Sequence, residues 1–300
     1  MAGTLALFTI VRTLHGLPFG AVTVANSTVA IDVLPASRRN EGIGYYGLSN
    51  NIATAIGPTI ALWIYAWADS FQLLFWISLI IAFGGFWIDS QVKLRERPLS
   101  GPRPRLSWDR FILIQGWSQG LCILCFAFSY GIMATYVAIY AKEHLGMTGG
   151  TGLFFMLLAG GLILSRLTGT RSLRKGRIAQ NASIGIVISC IGYLIFATLH
   201  TEFFFYLSAL TIGLGNGHMF PAFQNMFINL ASHERRGTAN STLLVSWDIG
   251  VGIGTLVGGS VAQYFGFHQA FMWAWLVNLL GLAFYFLYSR SHYLRNRLNG

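Results

Sequence analysis

Asp248 is the acid set deepest in apolar sequence. It lies about ten residues into the apolar run that starts at 238, or roughly 15 Å along a helix rising 1.5 Å per residue. A carboxyl group placed there suits the uptake and release of a proton. The plainer reading is an interhelical hydrogen bond, worth about 1 kcal/mol. Asn50 and Asn51 put polar groups at a matching depth in another apolar run. Arg12 stands roughly two turns inside the first run, where a charge costs about 2–3 kcal/mol even on insertion scales, and His15 follows one turn later on the same face. The pair could steer a proton or hold an anionic group in a cavity. Otherwise Arg12 snorkels to an interface beside a hydrogen-bonded His15. Asp32, close to Arg38-Arg39, reads as the acid of a salt bridge at a gate rather than a proton carrier. Gln119 and Tyr130 read as cavity-lining groups.

Other motifs carry less. Cys122 and Cys125 have a redox-like spacing but sit in an apolar run without a second pair, and Cys190 is alone, so buried thiols are expected and no metal or cofactor. Gly213, Gly215 and Gly217 have no strand before them, so they suit close helix approach rather than a dinucleotide loop. His144, His200 and His268 fall in short loops with no specific role expected. An enzyme within the membrane would need His and paired carboxylates on facing helices, whereas His15, His218 and Asp248 lie scattered.

These residues must be positioned by apolar elements. The chain of 300 residues is 54% hydrophobic and 10% charged, with a mean hydropathy of +0.57. Its apolar runs reach about 20 residues, enough to cross a bilayer. Nine spans are expected, at 4–33, 41–66, 70–90, 110–140, 150–170, 178–199, 203–230, 238–263 and 268–289. Backbone polar groups must be paired inside lipid, so all nine read as helices and the fold class as an all-α polytopic bundle. MAGTLALFTIVR lacks a basic region before its apolar part and reads as a membrane segment rather than a signal peptide. The organisation expected is a first bundle at 1–90, a polar proline-rich linker at 91–109, a six-helix bundle at 110–289 and a basic tail at 290–300.

Alternate loops hold the basic residues: Arg38-Arg39, the cluster from Lys93 to Arg110, the cluster from Arg171 to Arg177, and Arg235-Arg236. The opposite loops hold only Lys142. The positive-inside rule then places the basic loops and the C-terminus in the cytoplasm and Met1 outside, in a bacterial-type inner membrane. The net charge of +10 is thereby a topology signal, and nucleic acid is not an expected partner.

The sequence also repeats. Arg38-Arg39 returns as Arg235-Arg236, Gly57 as Gly254, Gly16 and Gly20 as Gly213 and Gly217, and Trp76 as Trp273, all at one offset (254 − 57 = 197). Asp248 falls opposite Asn51 in this register. A register held this long means an internal duplication.

With these motifs in place the chain resembles the major facilitator superfamily of secondary transporters. Arg12, Gly16 and Gly20 resemble its fourth-helix motif. Gly57-Pro58 is similar to the core of its antiporter motif, with Gly254 in the duplicated copy. SRLTGTRSLRKGR, containing Arg166, resembles its gating loop with Leu173 in place of the acid. The resemblance implies family helices 4–12, with the first three expected before Met1. It further implies alternating-access transport of a small-molecule substrate, with protons as the coupling partner and efflux as the direction. The alternative is an inactive or partner-dependent remnant.

Overall fold

The computed structural model describes residues 4–92, 111–147 and 151–298. Nine long helices stand among them: α1 (Leu5–Val33), α2 (Arg39–Ala68), α3 (Phe71–Ser90), α4 (Trp117–His144), α5 (Thr151–Arg174), α6 (Ile178–Thr198), α7 (Glu202–Asn229), α8 (Arg236–Phe265) and α9 (Phe267–Phe284). The linker expected at 91–109 lies, from Lys93 on, outside the described residues. Seven helices are apolar and long enough to cross a membrane by composition alone. The other two, α2 and α7, have the length but carry interior polar groups such as Asn50, Asn216, His218 and Gln224. By contrast α3 has no buried residue and shows Phe75, Ile80, Phe86 and Trp87 outward, as a lipid-facing helix does.

Two boundaries differ from expectation. The fourth span begins at Trp117 rather than 110 because the preceding residues are tucked in: Leu113 N–H donates to Thr242 Oγ1 at 2.8 Å, and Gly116 sits against the Phe227 ring. The segment expected as a tail is instead helical to Asn296. A π-helical turn at Tyr285–Ser289 leads into α10 (Arg290–Asn296), whose Tyr293 is buried and accepts a hydrogen bond from Asn229 at 3.2 Å.

The duplication is visible in the backbone. Adding 197 to α1 gives 202–230 against the observed Glu202–Asn229, and adding it to α2 gives 236–265, the observed bounds of α8. Thr4 and its copy Thr201 both cap their helices through the side-chain oxygen. Asp69 and its copy Gly266 both take positive φ, 45° and 87°, where the chain reverses within two residues or fewer. Glycine adopts that conformation freely, and aspartate is among the few other residues that tolerate it.

The second copy packs through small residues. Gly250, Gly254 and Gly258 of α8 face Leu124, Phe128 and Ile132 of α4, both sets spaced by four. A Cβ at Gly250 would stand 2.5 Å from the Leu124 carbonyl, and one at Gly254 would collide with the Phe128 carbonyl. Gly213 of α7 meets Leu158 of α5 in the same way. Removing side chains lets backbones approach, which in lipid substitutes for a hydrophobic driving force. Gly16 and Gly57, their first-copy relatives, have no side-chain or foreign backbone atom within 4 Å. Gly254→Val should therefore destabilise the protein by about 1–3 kcal/mol, whereas Gly57→Val should stay within about 0.5 kcal/mol. Thermal melts of the detergent-purified variants check this, and equal losses would mean that the α4–α8 crossing is not the tight contact.

Candidate functional site

A cavity of about 650 Å³ lies between α1 and α2 on one side and α4, α5, α7 and α8 on the other. Phe19, Gly20 and Thr23 line it from α1, Gly47 and Asn50 from α2, and Tyr130 from α4. Leu158, Leu162 and Arg166 come from α5, Asn216 and Phe220 from α7, and Ser241, Leu244, Trp247 and Asp248 from α8. The Trp247 ring lies 5.4 Å from Tyr130 and 5.3 Å, edge-on, from Phe220. Arg166 and Asp248 are the two charged residues of this lining. Arg166 Nη1 donates to the Gly217 carbonyl at 3.3 Å, while its Nε is buried without a hydrogen-bond partner among the described residues.

The cavity has a floor at the end of the bundle where Arg38, Arg174 and Arg235 lie, here termed the basic end. Two crossings form it. In the first, Asn240 of α8 donates to Ser27 Oγ of α1 at 2.6 Å and accepts from Gln224 Nε2 of α7 at 3.1 Å. Around this network Ile31 and Ile43 are buried in one apolar cluster with Phe227, Ala239 and Leu243. Ser27 and Gln224 occupy equivalent positions of the duplication (27 + 197 = 224), so Asn240 is held by both copies at once. In the second crossing Arg166 fills the space beside Gly47 of α2, where a Cβ would stand 3.4 Å from Nη2. Arg166 also borders a smaller cavity of about 310 Å³ toward the basic end, with Glu41, Tyr45, Arg171 and Arg174. At the other end α1 is exposed from Leu7 to Phe19.

The structure thus brings together Gly20, Asn50, Tyr130, Arg166 and Asp248. Arg12 and His15 lie farther along α1, exposed, with the His15 ring 6.4 Å from Phe19, and they do not line the cavity. Gln119 is displaced from the expected lining. It is buried beside the π-helical turn, where its Nε2 donates to the Ser289 carbonyl at 3.0 Å. A π turn disturbs the regular backbone ladder, and Gln119 supplies a donor there. Asp32 is half-buried near the floor, Gly16 and Gly57 face open space, and Gly254 serves the α4–α8 crossing. The side chains of Asn51 and Pro58 lie outside the described residues. His218 is buried away from the lining, between Asn181 (Nδ1, 2.9 Å) and Thr168 (Nε2, 3.0 Å), and ties α5, α6 and α7 together.

Sequence reasoning missed Asn216, Phe220, Trp247 and the Asn240 network. The duplication register did hold one signal, since Ser27 and Gln224 are polar at one repeat position. Loss of Asn240 should loosen the floor. In a background with Cys122, Cys125 and Cys190 changed to alanine, buried Ile31→Cys should label slowly with maleimide. Adding Asn240→Ala should accelerate labelling about tenfold, the effect of stranding a buried polar partner. An unchanged rate would mean that the network does not hold the floor shut.

The loop histidines are also drawn together. Tyr140 Oη lies 2.8 Å from His200 Nδ1, the His200 and His268 rings are 4.9 Å apart, and His144 stacks on Tyr140 at 5.3 Å. Burial, then the nearby His268 and His144, hold the His200 pKa below its ordinary 6.5. The unfolded chain then binds a proton before the folded one does, so stability is full above about pH 6.5 and falls as pH drops toward the folded value. Wild type should lose more melting temperature than His200→Gln between pH 7.5 and 5. Parallel losses would take His200 out of the acid response.

Comparison with known proteins agrees with this architecture. The family model described as Major Facilitator Superfamily matches residues 1–223 and again 181–299. An uncharacterized MFS-type transporter of Bacillus subtilis, YfiU, is 25% identical over 88% of this chain, and the match spans 63% of that protein's length. The staphylopine export protein of Staphylococcus aureus is 21% identical over 88% of this chain and 69% of its own. Among solved structures, the human organic anion transporter MFSD10 (TETRAN) superposes with a TM-score of 0.79 at 15% identity, covering 94% of this chain and 71% of that one. The repeated helical backbone and the cavity between its halves have a common origin: this chain belongs to the major facilitator superfamily.

Proposed function

We propose that the chain is a secondary transporter, not an enzyme, which exports a small molecule in exchange for protons by alternating access. One observation carries this reading: Asp248 stands in the wall of a cavity whose basic end is crossed by the Asn240 network. An acid there can load and release a proton, and access from the basic end requires parting α1 and α2 from α5 and α8. Support for export comes from Gly57-Pro58, which is similar to the antiporter motif, and from the relative named as an export protein. The basic loops support an inner-membrane orientation with the basic end and C-terminus in the cytoplasm.

An inactive or partner-dependent form is the second reading, favoured by α3, which buries no residue against the rest of the chain. One assay separates the two. Everted vesicles made acid inside are challenged with a panel of organic solutes, and dissipation of the pH gradient is recorded. Wild type should respond to at least one solute, and Asp248→Asn should abolish that response while inserting and melting as before. An unchanged response in Asp248→Asn removes this acid from coupling. Silence of the wild type toward the whole panel favours the partner-dependent form.

A further inference from the structure

We infer that the cargo is an amphipathic zwitterion, with a carboxylate for Arg166, an ammonium for Asp248 and an apolar, partly aromatic body between them. The inference rests on the reading of this cavity as a cargo site.

The cavity presents one cation and one anion, and among the described residues no ion pair or hydrogen bond joins them. Guanidinium has five N–H donors in a planar fork. Here Nη1 reaches one backbone carbonyl at 3.3 Å, and Nε is buried with no partner among the described residues. A guanidinium left in that state is costly, and a carboxylate closing on the fork supplies the missing acceptors two at a time. Asp248 faces the cavity, exposed, with no hydrogen bond to its carboxylate among the described residues. When ionised it only accepts, which suits an ammonium.

The surface between the two charges is apolar. Gly217, whose carbonyl holds Arg166, is three residues before Phe220, and Phe220 packs edge-on against Trp247, the residue before Asp248. Tyr130 backs Trp247, and Leu162 and Leu158 lie one and two turns before Arg166 on α5. A path from one charge to the other thus crosses an aromatic wall able to bury a ring or an aliphatic body. A plain organic anion would leave Asp248 facing it with like charge, and a plain cation would leave the Arg166 fork unfilled. A molecule with both charges satisfies both ends and is selected against either half-match. Its ammonium and a proton would compete for one carboxylate, which is the relation that exchange requires. On the basic side Arg171 and Arg174 flank Arg166 together with Glu41.

A charge series on one body tests this: phenylalanyl-phenylalanine, its N-acetyl form (anion only) and its C-terminal amide (cation only), titrated calorimetrically against the full chain in nanodiscs. The dipeptide should bind at least about tenfold tighter than either analogue, the factor for one lost charge-assisted contact. Arg166→Gln should erase the preference over the amide and keep that over the acetyl form. Asp248→Asn should do the reverse, and Arg166→Lys should keep the preference over the acetyl form while weakening, without erasing, that over the amide. This crossed pattern cannot come from misfolding. Equal binding of either analogue to wild type, or failure of the dipeptide to bind, overturns the inference. The selectivity without flux in sealed vesicles keeps the cargo class and sinks transport by this chain, whereas flux without the selectivity does the opposite.

Discussion

The crossing of α4 and α8 fixes the working geometry. Gly250, Gly254 and Gly258 let the two backbones touch, and this contact sets both the depth and the rotation of α8. Trp247 and Asp248 precede the first of these glycines by three and two residues, so their presentation to the cavity follows from where that glycine rests on Leu124. Lipid offers apolar side chains nothing that water-soluble packing would recognise as a gain. Close backbone approach therefore has to do the positioning. The same device joins α5 to α7, where Gly213 and Gly217 bring Leu158 and Ser165 close and seat Arg166 next to the Gly217 carbonyl. Both charged groups of the site are thus placed by small residues on the partner or on their own helix.

The floor uses a different chemistry. Where the first helices meet the later ones, the contacts are a short polar chain, Gln224 to Asn240 to Ser27, surrounded by Ile31, Ile43 and Leu243. Such a contact is satisfied when formed, and water at a membrane surface can satisfy it when broken. An interface of interlocked glycines has no such substitute. The division between tight small-residue crossings within α4–α9 and a hydrogen-bonded seam against α1, with Arg166 packed beside Gly47 of α2, fits a body that moves as two pieces.

Much of this was legible in the sequence because lipid enforces one rule on every backbone group, and a run of apolar residues can satisfy it only as a helix. The structure extends the 197-residue register to pairs the sequence reading did not name, the caps Thr4 and Thr201 and the positive-φ residues Asp69 and Gly266. Asp248, Asn50 and Tyr130 could be picked out because polar groups in an apolar run stand out by contrast. What a run does not disclose is the rotation of each helix about its own axis. Gln119 is as polar as Asn50, yet it turns toward the π-helical segment of the last helix, a backbone irregularity without a sequence mark. Arg166 was read as part of a gating loop, although the helix continues through it and brings it into the cavity wall. His144, His200 and His268 are separated by 56 and 68 residues along the chain (200 − 144, 268 − 200), and only the fold makes them neighbours.

The polarity of α2 and α7 bears on how the chain enters its membrane. Each is long enough to cross, but neither is apolar enough to be marked as a span on composition. Their asparagines, histidine and glutamine are unfavourable against lipid and acceptable against other helices. Their neighbours α1, α3, α6 and α8 are strongly apolar, and α7 follows α6 after only Leu199, His200 and Thr201. Insertion in hairpin pairs gives each polar helix an apolar companion at the moment it leaves the aqueous phase. The polar residues of α2 and α7 thus favour entry beside an apolar neighbour over entry alone.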